Sequence, residues 1–277
     1  MAGTLSAIRK RLQTVNSTKK LINATELVAT VKLQKYNRKT VQNTAYAADL
    51  LKFISAAVKG KRPKVEDNPY LIQTKVDNPL YVVITSNSGL CGSYNQEILR
   101  FVVENVPKDV PIFAIGTIGY NWLLKNDYLV VKKYDELEDV QPKILNSLCD
   151  NLLHLYRTDE ISEINVVYTT YVNTLTYQPT MMRLLPFQSE QVETTDIFLE
   201  PSRNEVLNRL IPMYVSSQIY VCYLDAKTSE NAARRNAMSM ANKNADQLIG
   251  DLRLSYNKAR QASITQEMNE IVASTRR

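Results

Sequence analysis

Apolar residues recur at Leu5, Ile8, Leu12 and Val15, spaced three, four and three, and the stripe continues through Ile22, Val28 and Val31. Arg9, Arg11, Lys19, Lys20, Lys32 and Lys35, with other polar groups, fill the positions between. That spacing predicts an amphipathic helix with a coiled-coil-like seam. The end of the chain repeats the pattern through Met238, Ala241, Ala245, Leu248, Leu252, Tyr256 and Ala259, then Ile264, Met268 and Ile271. Small residues on the second stripe let two helices approach closely. Thr18, Asn23 and Asn242 beside the seams distinguish the pair from a leucine zipper.

Between these segments the pattern changes to short apolar runs separated by turn residues. Runs at 80–86, 111–115, 128–131 and 164–168 read as strands, with helices to about Asn105, over 117–126 and over 140–156 between them. A further strand is expected at 174–185, broken by Pro179. The alternation argues for a Rossmann-like, doubly wound, mainly parallel α/β sheet. Lys59 to Val76 and Phe187 to Asn204 read as exposed linkers. The fold class is therefore α/β: two long terminal helices forming an antiparallel coiled coil, and a Rossmann-like middle domain. The division expected is 1–62 for an N-terminal stalk helix, 63–204 for the α/β domain with its linkers, and 205–277 for a C-terminal stalk helix.

The breakers sharpen this picture. All ten prolines lie between Pro63 and Pro212, and five of seven glycines lie between Gly60 and Gly119. No Gly or Pro occurs from Thr4 to Lys59, and Gly250 is the one breaker after Pro212. At 1.5 Å per residue, helices of 55 and 65 residues span ~83 Å and ~98 Å. A compact body of this chain length has a radius of gyration near ~19 Å. Helices of that length cannot fit inside such a body, so a protruding two-helix stalk is expected. Gly250 marks the place for a bend or a close helix crossing.

Charge adds a partner. Residues 1–62 carry 13 Lys+Arg against Glu26 and Asp49, a net of +11, while 63–212 carries −8 and the remainder +3. A basic helical arm attracts nucleic acid, an anionic membrane surface or an acidic protein. The chain has no run of 18 apolar residues, and its first residues lack a signal peptide's apolar region. Cys91, Cys149 and Cys222 show neither metal nor redox spacing, which suggests reduced thiols.

Candidate chemistry is sparse. Gly89-Leu-Cys-Gly92 stands at a strand-to-helix turn, where phosphate loops also stand, but neither GxxxxGK[ST] nor GxGxxG accompanies it. Gly89 and Gly92 read as a structural turn. Cys91 has no histidine near it in sequence, and the single His154, among Leu152, Leu153 and Leu155, reads as a packed helix residue. Asp135, Glu136, Glu138 and Asp139 read as helix N-terminal acids rather than a cation site. No catalytic, cofactor-binding or metal-binding residue is expected. Tyr256 to Glu267 is polar nearly all round, a pattern that favours a helix surrounded by protein.

Three blocks resemble the γ subunit family of F-type ATP synthases, the central rotor stalk. They are Ile8-Arg-Lys-Arg-Leu with Val15-Asn-Ser-Thr-Lys-Lys-Leu and Leu27-Val-Ala-Thr-Val-Lys-Leu33; Ile84-Thr-Ser-Asn-Ser-Gly-Leu-Cys-Gly92; and Ser229-Glu-Asn-Ala-Ala-Arg234 through Tyr256 to Glu267. The resemblance covers essentially the whole chain. It implies an antiparallel coiled coil inside an α3β3 ring, with the middle domain at its foot near an ε-type subunit and a membrane c-ring. It further implies that nucleotide and magnesium sit on ring subunits, so that this chain is a non-catalytic part of the complex with no cofactor. It assigns ring contacts to Arg234, Arg260, Gln261, Thr265 and Glu267, with Arg9, Lys10 and Arg11 facing acidic ring loops.

The sequence departs from the family at Asn23 and Thr25, where Lys and Met are usual, and at the tail Ala273-Ser-Thr-Arg-Arg277. A rotor of a specialised F1-like ATPase that does not make ATP is one alternative. A flavodoxin-like nucleotide-binding enzyme, recognisable by a bound cofactor, is another. A nucleic-acid adaptor would show steep salt dependence and is not expected. The expected location is the cytoplasmic face of a bacterial membrane, peripheral and without a span; the alternative is the matrix side of the mitochondrial inner membrane.

Overall fold

A computed structural model describes residues 2–59, 68–71, 76–134, 142–187 and 202–275. The element order is α1 (Ala2–Lys59), β1 (Pro79–Ile84), α2 (Tyr94–Asn105), β2 (Ile112–Ile115), α3 (Thr117–Lys125), β3 (Val130–Tyr134), α4 (Pro142–Arg157), β4 (Glu163–Tyr171), β5 (Tyr177–Leu185) and α5 (Arg203–Thr275). The acidic cluster Asp135 to Asp139, most of both expected linkers and the Arg276-Arg277 tip lie outside the described residues. The chain divides into two compact units, Met1–Thr30 with Arg234–Arg277, and Val31–Ala233.

In the larger unit the sheet order is β3-β2-β1-β4-β5. Strands β1, β2, β3 and β4 pair in parallel, and β5 returns antiparallel to β4. The order reverses between β1 and β4, which makes the sheet doubly wound as its apolar runs predict. One face packs on α1, α4 and α5 through Leu50, Ile54, Leu148, Leu152, Ile211 and Val215. The other packs on α2 and α3 through Ile98, Val102 and Leu123. Central strands covered on both faces need continuous apolar runs, and β1 and β2 have them.

Two local expectations change. Pro179 does not break its strand: it lies within β5, and β5 is an edge, where a missing N–H costs no ladder bond on the open side. Pro212 lies inside α5, within the span expected for the C-terminal helix. His154 is exposed, because Leu145, Leu148, Leu152 and Tyr156 define the buried face of α4 and position 154 turns away from it.

Close approach of β1, β2 and α3 depends on two glycines. Gly116 has φ +100° and a side chain there would meet the Thr85 carbonyl oxygen at 2.4 Å. A side chain at Gly119 would meet Thr85 Oγ1 at 2.5 Å. The Thr85 hydroxyl uses the vacated space, accepting the Gly119 N–H at 3.0 Å and donating to the Ile115 carbonyl at 3.1 Å.

The smaller unit consists of two antiparallel helical segments. Lys19 pairs with Asp246, and Asn242 donates to Glu26, so position rises along one segment as it falls along the other. The C-terminal seam runs through Met238, Ala245, Ile249 and Leu252, with Tyr256 and Ala259 half-buried. Its opposite number runs through Leu5, Ile8, Leu12, Val15, Lys19, Ile22, Glu26 and Ala29, all partly or fully buried and alternating by three and four. This alternation is the 3.5-residue period of a left-handed coiled coil.

The apolar stripe seen in sequence drifts off that seam. Val28 and Val31 are exposed, as are Leu248, Ile264, Met268 and Ile271, because a strict heptad places Lys19, Glu26 and Ile249 inward instead. Gly250 is neither a break nor a close crossing: α5 continues through it, and a side chain there meets nothing within 4 Å. Gly250→Ala is therefore expected to stabilise the helix by about 0.5–1 kcal/mol, read as a higher melting temperature of the isolated chain.

Candidate functional site

In doubly wound sheets ligands bind in the crevice outside the carboxyl ends of the strands, where strand order reverses. Here that crevice lies beyond β1 and β4. The turn from β1 to α2 folds over it with Leu90 (φ +63°) and Gly92 (φ +59°) both left-handed. A side-chain net holds the turn: Asn95 Nδ2 donates to Ser86 Oγ at 2.7 Å, and the Ser86 hydroxyl donates to the Ser88 carbonyl at 2.8 Å. Asn95 Nδ2 also lies 3.2 Å from the buried Cys91 sulfur. Cys91 thus serves as an anchor of the turn, packed with Tyr94 and Ala233.

The same chain fills the space. Tyr94 Oη donates to the Ala226 carbonyl of α5 at 3.1 Å, and Ser229 Oγ of α5 donates to the Thr169 carbonyl of β4 at 3.1 Å. A nucleotide phosphate would need the N-terminus of α2, whose first turn already carries Glu97, hydrogen-bonded by Ser93. An acid there satisfies the helix dipole and repels an anion. The crevice of the flavodoxin-like alternative is occupied by protein.

Nucleophiles are similarly passive. Burial raises the Cys149 thiol to about 11 and the Cys222 thiol to about 12, which keeps both neutral. A groove of about 410 Å³ between α1, α4 and α5 has Asp150 as its one charged lining group. It holds no acid–base pair. No group of three or more His, Cys, Asp or Glu able to hold a metal occurs among the described residues.

One half-buried acid has a measurable consequence. Burial raises the Asp225 carboxyl from 3.8 to about 6, against a smaller lowering by the Tyr171 backbone N–H. The folded state therefore holds the proton more tightly than the unfolded chain. The resulting stability is complete below pH 3.8 and lost as pH rises through about 6. Asp225→Asn is expected to melt higher than the parent at pH 8, with the gap closing as pH falls from 6 to 4.

The residues assigned to ring contacts fall on the terminal helices. Arg9, Lys10 and Arg11 are exposed on α1, and Arg260, Gln261, Thr265 and Glu267 are exposed on α5. Thr265 donates its hydroxyl to the Gln261 carbonyl one turn earlier, and Ser263 donates to Glu267. Arg234 is half-buried and engaged within the chain. Gly89 and Gly92 are exposed in the β1–α2 turn.

Periodicity alone missed two features. The two-helix unit turns large apolar side chains outward: Leu21 is 70% exposed, Leu27 68% and Met268 62%. The α/β unit likewise displays Leu90, 70% exposed in a left-handed conformation unfavourable for a leucine, and Leu175, 80% exposed at the β4–β5 hairpin tip. Runs of adjacent apolar residues such as Leu27-Val28 were the available signal, since one seam cannot bury both.

Comparison with known proteins gives one answer throughout. The ATP synthase family profile matches residues 4–276. The ATP synthase gamma chain of Clostridium novyi is 36% identical over 98% of this chain and 98% of its own. That of Streptococcus agalactiae is 34% identical, covering 99% and 98%. Among solved structures, a chain of the Euglena gracilis mitochondrial ATP synthase superposes with a TM-score of 0.70 at 21% identity, covering 99% of this chain and 94% of that one. A chain of the Tetrahymena thermophila central stalk superposes at 0.60 and 21%, covering 80% and 99%. At such identity these two speak for the fold.

Proposed function

We infer the role of this chain from the family it belongs to, that of the ATP synthase gamma chains: it is the central stalk of a rotary F1-type ATPase and does no chemistry itself. The observation that carries the role beyond family membership is the outward apolar surface of the two-helix unit. Two helices sharing one narrow seam leave Leu21, Leu27, Val28, Ile264 and Met268 in water. Such a surface calls for a surrounding partner. The Lys19–Asp246 pair, with side chains 28% and 61% exposed, adds at most about 1 kcal/mol to the seam, so cohesion of the unit also favours enclosure.

The occupant of that outer surface is the ring of α and β subunits. Arg9, Lys10 and Arg11 meet acidic ring loops, with the +11 arm supplying long-range attraction. Arg260, Gln261, Thr265 and Glu267 make polar contacts with the ring, and Arg234 lies at the start of that stretch. The two-helix unit is the shaft, and the α/β unit, whose core also takes in Ile54 of α1 and Val215 of α5, is the foot that meets an ε-type subunit and the c-ring. Leu90 and Leu175, displayed on that foot, are docking side chains for a neighbouring subunit. The complex lies on the cytoplasmic face of a bacterial membrane, with this chain peripheral; none of its described helices is long and apolar enough to cross one.

Purification of tagged chain from its native source tests the role. Subunits of a hexameric ATPase are expected with it, and their absence overturns the reading. Reversing the Arg9, Lys10 and Arg11 charges to Glu should weaken assembly more at low than at high salt. A salt-independent result removes those three residues from the interface.

A further inference from the structure

Five successive residues of α5, Lys227 to Asn231, are buried although all are polar or charged. Three of their bonds close within the helix. Lys227 Nζ meets Glu230 Oε2 at 2.8 Å, Thr228 Oγ1 donates to the Leu224 carbonyl, and Asn231 Nδ2 donates to the Lys227 carbonyl. Two further bonds tie this stretch to other elements. Ser229 donates to the Thr169 carbonyl of β4, and the carbonyl of Ala226 accepts from Tyr94 of α2, each at 3.1 Å.

Positions 226 and 229 are three apart and share one face of α5. Their partners stand on two different elements, α2 and β4. Two directional bonds from separate anchors fix the rotation of a helix about its own axis. At this level the apolar contacts of α5 are made by small side chains, Ala226, Ala232 and Ala233, while the larger Ile219, Cys222 and Tyr223 pack into the core up to two turns earlier, so the two bonds add directional constraint where the side chains are smallest. At about 5 Å from the axis, a rotation of about 10° shifts a side-chain atom by about 0.9 Å. That displacement takes a bond of 3.1 Å well out of range.

We propose that Ser229 and Tyr94 are positioning residues for torque transfer, locking the rotational setting of α5 against the sheet so that turning force crosses this contact without slip. The proposal rests on the stalk role inferred above and adds the residues that make the contact stiff. Thr228 supplies the control, since its hydroxyl is equally buried but bonds only within α5.

The test uses the assembled complex of ring, stalk and membrane sector carrying Tyr94→Phe, Ser229→Ala, the double variant, or Thr228→Val. Melting of each isolated chain reports whether it folds, and Tyr94→Phe, which removes one oxygen, keeps the test open if the others do not. With the ring stalled, the angular spread of a marker on the α/β unit is expected to widen roughly two-fold in the double variant and less in each single one. ATP hydrolysis stays at the parent level while ions moved per ATP fall, and Thr228→Val behaves as the parent. An unchanged spread in the double variant, or equal widening in Thr228→Val, overturns the proposal. Failure of the parent chain to join a hexameric ATPase overturns the stalk role instead, and the proposal with it.

Discussion

Glu230→Ala is expected to destabilise the α/β unit by about 3–5 kcal/mol, the usual cost of removing one member of a buried ion pair. The Lys227 and Glu230 side chains are 4% and 5% exposed, so water cannot replace the lost carboxylate. The Lys227 ammonium also stands 5.7 Å from the centre of the Tyr223 ring, a weaker contact that does not neutralise its charge. Chemical denaturation followed by tryptophan fluorescence reads the loss, because Trp122 lies on α3 of the same unit. Replacing both partners, with Lys227→Met and Glu230→Leu, is expected to recover most of the stability, since the pair contributes little net once its desolvation is counted. A Glu230→Ala protein as stable as the parent would show that the ion pair is not needed to hold this fold.

Gly116→Ala should be nearly as damaging, at about 3 kcal/mol or more, for a steric reason. The residue has φ +100°, outside the range L residues adopt, and its new methyl would lie 2.4 Å from the backbone oxygen of Thr85. Backbone in the middle of a parallel sheet has no room to retreat. The comparison is Gly89→Ala, where the methyl meets nothing within 4 Å and no positive φ is required. Urea midpoints of the two variants separate these cases: a large fall for position 116 and a change within about 0.5 kcal/mol for position 89. Equal midpoints would remove the close approach of β1, β2 and α3 as a constraint on this fold.

How far the sequence carried these conclusions depends on the range of the interactions involved. Helices α1 and α5 were legible because their apolar period and the scarcity of breakers are local properties, as were the continuous apolar runs of β1 and β2. The doubly wound order followed from alternation of strand and helix, because handedness of the crossovers leaves few other arrangements. The Ser229 to Arg234 block was visible as a motif, but its environment was not. Spacing alone cannot tell a helix enclosed by another subunit from one enclosed by its own sheet.

Tertiary structure decided the rest. It placed Lys19 and Glu26 on the seam and turned Val28 and Val31 outward, because each residue of phase error rotates a helix position by about 100°. It admitted Pro179 to a strand because that strand is an edge, and showed open space where Gly250 had suggested a crossing. It also filled the crevice of an apparent nucleotide fold with Tyr94, Ala226 and Ser229. Sequence by itself determined the elements and their family, since propensity and period act over a few residues. Which faces meet, and which polar groups are shut in together, depends on contacts between residues from about thirty to more than two hundred positions apart, and only the folded chain brings those into register.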